Sequence, residues 1–382
     1  MKPTNIRIAV LTDYLLHPSQ NDFLAVAENL QLLHLIEYLR DALGCTVDVF
    51  QISTKPKRTF RGFQITGIAA ECDRYGMFPG ASTSFISLGL DYDLCIYYQW
   101  HMAFPRVCPK SVVVSHGIYW DSPGGYFNRL SLMEQKHIKD RLLYGLTASL
   151  AFVAGDRNTI NVIRVLWPGY TQRLEYLPPG VDLEQFTPAV KDRNDCLRVV
   201  CPQDFTQEEG VNEILSLCRI FQNLEPSIEF HIVGHTREFG EALQLAHQVR
   251  VLPNARFYWV PTAQLTAVYH ASDLALFPSR SSAGPSLYCL QAMACGLPVI
   301  AGLTGGLGEM VVDGWNGFLL EEPSIDHLVH RVYQLTRNQE LRTQMGRNAR
   351  LLAEGYPVSR WRNRWLHLVE RLLLGTSQRG ET

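Results

Sequence analysis

The chain predicts an α/β protein built from two parallel-sheet domains, and three observations carry that prediction. Short apolar runs alternate with helical periodicities through both halves. At 382 residues the chain is too long for one ordinary core and suits two domains of roughly 180 residues each. The stretch from 277 to 322 reads strand, polar loop, helix, strand, the repeating unit of an open parallel sheet.

Composition narrows the class further. Hydrophobic residues make up 46% and charged residues 19%, with a formal charge of −2, as expected of a soluble globular protein with no nucleic-acid partner. The opening MKPTNIRIAVLTDYLL has too short and too interrupted an apolar run for a secretory signal or a membrane span, so a cytoplasmic protein is expected. Nine cysteines form no C-x-x-C pair, and most fall in apolar strand or helix patterns. They read as reduced core residues rather than as a metal or redox site.

Taken in order, RIAVLTD (7–13) is a buried strand, and 22–43 carries apolar residues at 23, 26, 27, 30, 33 and 36, one face of a helix that Gly44 stops. TVDVFQI (46–52) is the second strand, and the basic run KPKRTFRG (55–62) reads as a solvated loop, the alternative being a site for an anionic acceptor or a membrane surface. DLCIYY (93–98) is a strand introduced by Asp91 and Asp93. An Asp-x-Asp pair can hold a divalent metal, but at a strand's start it lies at the sheet edge away from ligands, so no metal is expected. SVVVSHG (111–117) puts His116 and Gly117 at a carboxyl end, the functional edge of a parallel sheet. SLAFVAG (149–155) reads as the last strand of the first domain, and EYLPPGVD begins the passage to the second.

The second domain repeats the alternation with CLRVVCP (196–202), a helix over 207–223, IEFHIVG (228–234), ARFYWV (255–260) and a short helix to Ser272. Then LALF (274–277) stops at Pro278 and Ser279. Ser286 is placed as N-cap of a helix over 287–295, Gly296 ends it at C′, and PVIAG (298–302) follows. The free N–H groups of such a helix start, at the carboxyl end of a strand, suit an anion. Amphipathic helices follow over 324–353, and 358–374 sets Trp361, Trp365, Leu368, Val369 and Leu372 on one face. That basic helix either packs on the protein or lies on a membrane.

QAMACGLPVIA (291–301), the glycines at 305 and 306, Glu309 and DGWNG (313–317) together resemble the donor-binding segment of family-4 retaining glycosyltransferases of the GT-B class. PPGVDLEQFTP (178–188) is similar to that family's interdomain linker, and SHGIYWD (115–121) to the end of its catalytic-side strand. The resemblance implies two Rossmann-like domains facing each other across a cleft: 1–188 on the acceptor side, 189–356 on the donor side, and 357–382 crossing back. It implies retaining transfer from a nucleotide-sugar, a UDP-sugar being expected, to a glycan, lipid or small-molecule acceptor, with no metal or other cofactor. Peripheral contact with the inner face of a membrane goes with a lipid-linked acceptor. His116 takes the catalytic position beside the donor sugar, Arg280, Gly284, Ser286, Leu287 and Gln291 bind the donor, and Tyr14, Gly117, Asp121 and Glu309 line the cleft.

Several charged positions of the pattern differ here. The family's two glutamates align with Ala283 and Gln291, and its diphosphate-binding arginine and lysine with Asp204 and Glu209. Gln291 keeps an oxygen that can accept from a ribose hydroxyl, or is simply packed, while Ala283 keeps nothing polar. A carboxylate about 5 Å from a phosphate charge costs on the order of 3 kcal/mol at an effective dielectric of about 20. Arg280 is the expected compensation, with the amides of Gly284, Ser286 and Leu287; Pro285 has no N–H to offer. The loop 14–21 also lacks the family's paired glycines. A GT-B pseudoenzyme that binds a sugar chain or a partner without turnover is therefore the alternative. A third use of the fold, isomerisation of a phosphorylated sugar, would need an acid and base pair that the sequence does not display.

Overall fold

The computed structural model describes residues 6–377 apart from 19–21, 25, 76, 119, 121–125, 190–195, 204–209, 226, 235–238, 261 and 281–285. The first half contributes β1 (Arg7–Thr12), α1 (Ala27–Leu43), β2 (Thr46–Ile52), β3 (Lys57–Phe60), β4 (Phe63–Ile68) and α2 (Ala81–Ser87). After these come β5 (Leu94–Tyr97), β6 (Ser111–Ser115), α3 (Leu132–Ala148), β7 (Ala151–Ala154), α4 (Arg157–Leu166) and β8 (Leu174–Tyr176). They form one sheet in the order β3-β4-β2-β1-β5-β6-β7-β8, parallel except for the β3–β4 hairpin. β5, β6 and β7 are buried along their whole lengths, as strands covered by helices on both faces must be.

The second half contributes β9 (Leu197–Gln203), α5 (Val211–Leu224), β10 (Ile228–Gly234), α6 (Phe239–Arg250), β11 (Ala255–Trp259), α7 (Thr262–His270) and β12 (Leu274–Phe277). Then come α8 (Leu287–Ala294), β13 (Val299–Gly302), α9 (Leu307–Met310), β14 (Gly317–Leu320), α10 (Ile325–Arg337), α11 (Gln339–Ala353) and α12 (Val358–Ser377). The second sheet is parallel, in the order β11-β10-β9-β12-β13-β14. Strand order reverses beside β9, the kind of position where open α/β sheets receive ligands.

The two halves are joined by two chain crossings that run side by side. Val181 N donates to Tyr356 O at 2.8 Å and Val358 N to Val181 O at 2.9 Å. Gly180 is required there, since a Cβ would lie 2.7 Å from Val358 Cα. From this point α12 returns to the first sheet: Trp361, Trp365, Leu368 and Val369 join the core built from β1, β2 and α1, with Leu372 packed at its edge. Tyr38 of α1 donates to Asn363 at 2.7 Å. The apolar face read from the sequence is therefore buried in protein, which corrects the membrane-surface alternative for this helix.

Some local expectations are also corrected. The basic run is no solvated loop: Lys57–Phe60 is a strand, turned by Arg61 and Gly62 at φ 48° and 83°, the left-handed pair that a two-residue hairpin needs. Arg58 is buried and donates to His17 O at 2.7 Å. Helix α1 starts at Ala27 rather than at 22, because Phe23 bridges to Leu16 and stacks on Phe60 at 5.6 Å. β8 follows β7, so SLAFVAG is not the last strand of its sheet. Helix α5 starts at Val211 behind Gly210, whose φ is 81° and whose absent Cβ would meet Pro278 O at 2.4 Å.

Candidate active site

At the carboxyl edge of the first sheet the chain spends its polar groups on itself. Tyr14 N donates to Asp13 Oδ1 at 2.7 Å, while Leu15 N and Leu16 N donate to Gln51 Oε1 at 3.2 and 2.8 Å. Gln99 returns Nε2 to Asp13 Oδ1 at 2.9 Å. Leu15 and Leu16 are core residues. Of these three amides, two are committed to Gln51 of the neighbouring strand β2 and one to the preceding residue, Asp13. Tyr14 is half-buried, edge-on to Phe78 at 5.8 Å.

His116 follows β6 and is half-buried, its ring 4.7 Å from that of Tyr98. Its Nε2 lies 2.9 Å from Tyr98 O. A carbonyl can only accept, so Nε2 carries the proton and the lone pair stays on Nδ1. Burial, with Glu28 nearby, pushes the Tyr98 hydroxyl well up, so it remains a donor, to Glu28 O at 3.1 Å. Gly117 is buried with φ 130°, and Ser115 Oγ ties the turn by donating to Gly117 O at 3.0 Å. Asp121 lies outside the described residues.

On the second sheet two helix starts converge. α5 opens at Gly210 against Pro278, and α8 opens at Ser286, whose side chain accepts from Cys289 N at 3.3 Å. The N-cap and the Gly296 stop, at φ 77°, stand as the sequence placed them. Between them Arg280 donates to Glu213 Oε1 of α5 at 2.9 Å. Expected as the sole cation for a diphosphate, Arg280 thus carries a partner that sequence reading missed. An acidic residue in a first helical turn is too common a feature to have signalled it. Leu287 is buried, so only its backbone can reach a ligand. Gln291 is 3% exposed, and its Oε1 accepts from the Tyr269 hydroxyl at 3.4 Å. Ala283, Gly284, Pro285, Asp204 and Glu209 lie outside the described residues.

Glu309 joins the two halves. Its carboxylate accepts from Arg157 N at the start of α4 and from the Tyr176 hydroxyl at 2.8 Å. Neither partner was singled out from sequence, because both are brought to it only by the crossing of the chain.

Other polar clusters have structural partners. Asp93 Oδ2 accepts from Arg7 N at 2.8 Å, and Tyr92 donates to Asp48 at 3.0 Å, at the amino edge of the first sheet. Among the described residues no group of three His, Cys, Asp or Glu side chains could hold a metal ion. A cavity of about 1390 Å³ lies at the amino edge of the second sheet, opposite its carboxyl edge. Two of the arginines around it cap helix ends: Arg342 donates to Leu335 O and Thr336 O, and Arg350 to Ala294 O. No helix among the described residues is long and apolar enough to cross a membrane.

Set against known proteins, residues 187–352 match the family model for glycosyl transferases group 1. A curated relative is the GDP-mannose-dependent alpha-(1-6)-phosphatidylinositol monomannoside mannosyltransferase of Mycolicibacterium smegmatis, 27% identical over 53% of this chain and 57% of its own length. The chain spans about half the length of the curated relatives it matches. Among solved structures, sucrose-phosphate synthase from Thermosynechococcus elongatus superposes with a TM-score of 0.73 at 16% identity, covering 97% of this chain and 100% of the other. Anabaena HepE in complex with UDP-glucose gives 0.72 at 15% identity, covering 96% and 100%. Residues 187–352, which carry the second sheet, thus match the family model for glycosyl transferases group 1, within a chain whose two parallel-sheet α/β domains take the GT-B fold.

Proposed function

We propose that the chain transfers a sugar, with retention, from a nucleoside-diphosphate sugar to a glycan or lipid-linked acceptor. The observation that carries this reading is the convergence of Arg280 with the starts of α5 and α8 at one sheet edge, inside the stretch that matches the family. A leaving diphosphate is stabilised at such an edge, where helix-start amides and a guanidinium are already oriented. On the opposite sheet His116, with Nε2 committed to Tyr98 O, offers Nδ1 as an acceptor for a sugar hydroxyl. The donor is a UDP-sugar, in line with the UDP-glucose complex of HepE, although the mycobacterial relative is named for GDP-mannose.

Calorimetric titration of the full chain with UDP and GDP tests the reading. Micromolar to submillimolar binding of either is expected, followed by transfer when the matching sugar nucleotide is supplied. No binding at millimolar concentration would remove the transferase reading and leave the pseudoenzyme in its place.

A further inference from the structure

We propose that Glu309 is a positioning residue that sets the spacing of the two domains, acting as a cap that one domain supplies to a helix of the other. Its consequence for turnover rests on the transferase reading; its geometry does not.

Glu309 is the third residue of α9, whose N-cap is Gly306. A glutamate there ordinarily reaches back to its own N-cap in a reciprocal pair with a Ser or Thr side chain. Gly306 has no side chain to reciprocate, and the carboxylate serves a different helix. It accepts from Arg157 N, the first residue of α4, and from the Tyr176 hydroxyl at 2.8 Å. Helix α4 already has a cap of its own: Asp156 accepts from Thr159 N at 2.6 Å and from the Thr159 hydroxyl at 2.9 Å. Two carboxylates from different domains therefore share one helix start, whose unpaired amides and positive dipole end favour negative charge. The Arg157 guanidinium lies over the Tyr176 ring, 5.2 Å from its centre. Burial, and then the bond to Glu309, push the Tyr176 hydroxyl up, which keeps it a proton donor.

Tyr176 ends β8 and directly precedes the first chain crossing. Its carbonyl accepts from Arg364 of α12, and the neighbouring Glu175 pairs with Arg371 of the same helix. The root of the crossing is thus fixed to the first sheet by α12 and to the second by Glu309. Removing the carboxylate leaves both crossings and α12 intact but frees the two sheets to separate.

The test uses the full chain with Glu309→Gln and, as a milder change, Tyr176→Phe. Small-angle X-ray scattering is expected to show a larger radius of gyration for Glu309→Gln, with Tyr176→Phe between it and the parent. Tyr176→Phe, whose change lies on the first sheet, should keep nucleoside diphosphate affinity within about twofold, while kcat falls roughly tenfold or more in Glu309→Gln. Scattering profiles identical to the parent's in both variants, with or without a fall in melting temperature, would overturn the proposal and make Glu309 a packing residue. If the parent transfers no sugar, the transferase reading fails by itself and the scattering comparison alone decides the role of Glu309.

Discussion

Arg280 and Glu213, 2.9 Å apart, set how much positive charge the donor edge presents. If the guanidinium also holds a diphosphate, Arg280→Ala should weaken nucleoside diphosphate binding by about 1.5 to 3 kcal/mol, the range for a charge-assisted hydrogen bond. Glu213→Gln should act in the opposite direction, since it removes a competing carboxylate while keeping the shape of the side chain. Calorimetry on both variants checks the pair, and equal weakening in both would instead mark the ion pair as structural. His116 calls for a different measurement. His116→Ala should lower turnover by on the order of a hundredfold with little change in melting temperature, as for a positioned group that acts in the transition state. An unchanged rate with a lower melting point would assign the imidazole to the packing around Tyr98.

At the scale of elements, α12 is the one whose sequence pattern and placement agree most closely. Trp361, Trp365, Leu368 and Val369 were legible as one face because a period of 3.6 needs no tertiary information, and they are the residues buried. Trp365→Ala should therefore destabilise the fold by about 3 to 5 kcal/mol, read by denaturant unfolding. A loss near zero would mean that the helix is not docked in solution. Other elements were less legible for identifiable reasons. The three-residue β8 is too short for any periodicity to register, and β4, FQITGI, alternates but stands beside a basic run that reads as a charged loop. Arg58 misled in the same way, because a cation reads as exposed until carbonyls such as His17 O are brought to it.

At the scale of the whole molecule, the proposed transfer depends on the balance of charge at the carboxyl edge of the second sheet. The resemblance read from the sequence aligns Asp204 and Glu209 with the family's cations. Asp204→Arg combined with Glu209→Lys should strengthen nucleoside diphosphate binding by about tenfold or more, because each replacement exchanges repulsion for attraction at an effective dielectric of about 20. Parallel titrations of parent and double variant in UDP and GDP check this, and no gain would mean that those positions lie away from the phosphates.

The sequence by itself determined the two series of parallel strands, helix α8 with its Ser286 cap and Gly296 stop, and the apolar face of α12. These are local matters of periodicity, capping and backbone freedom, which neighbouring residues settle. Only the tertiary structure decided which polar groups are already spent: Gln51 on the amides of Leu15 and Leu16, Glu213 on Arg280, and Glu309 on Arg157 and Tyr176. Each of these joins residues at least 35 positions apart. A hydrogen bond depends on separations of about 3 Å, and that distance is fixed by the packing of whole sheets rather than by spacing along the chain.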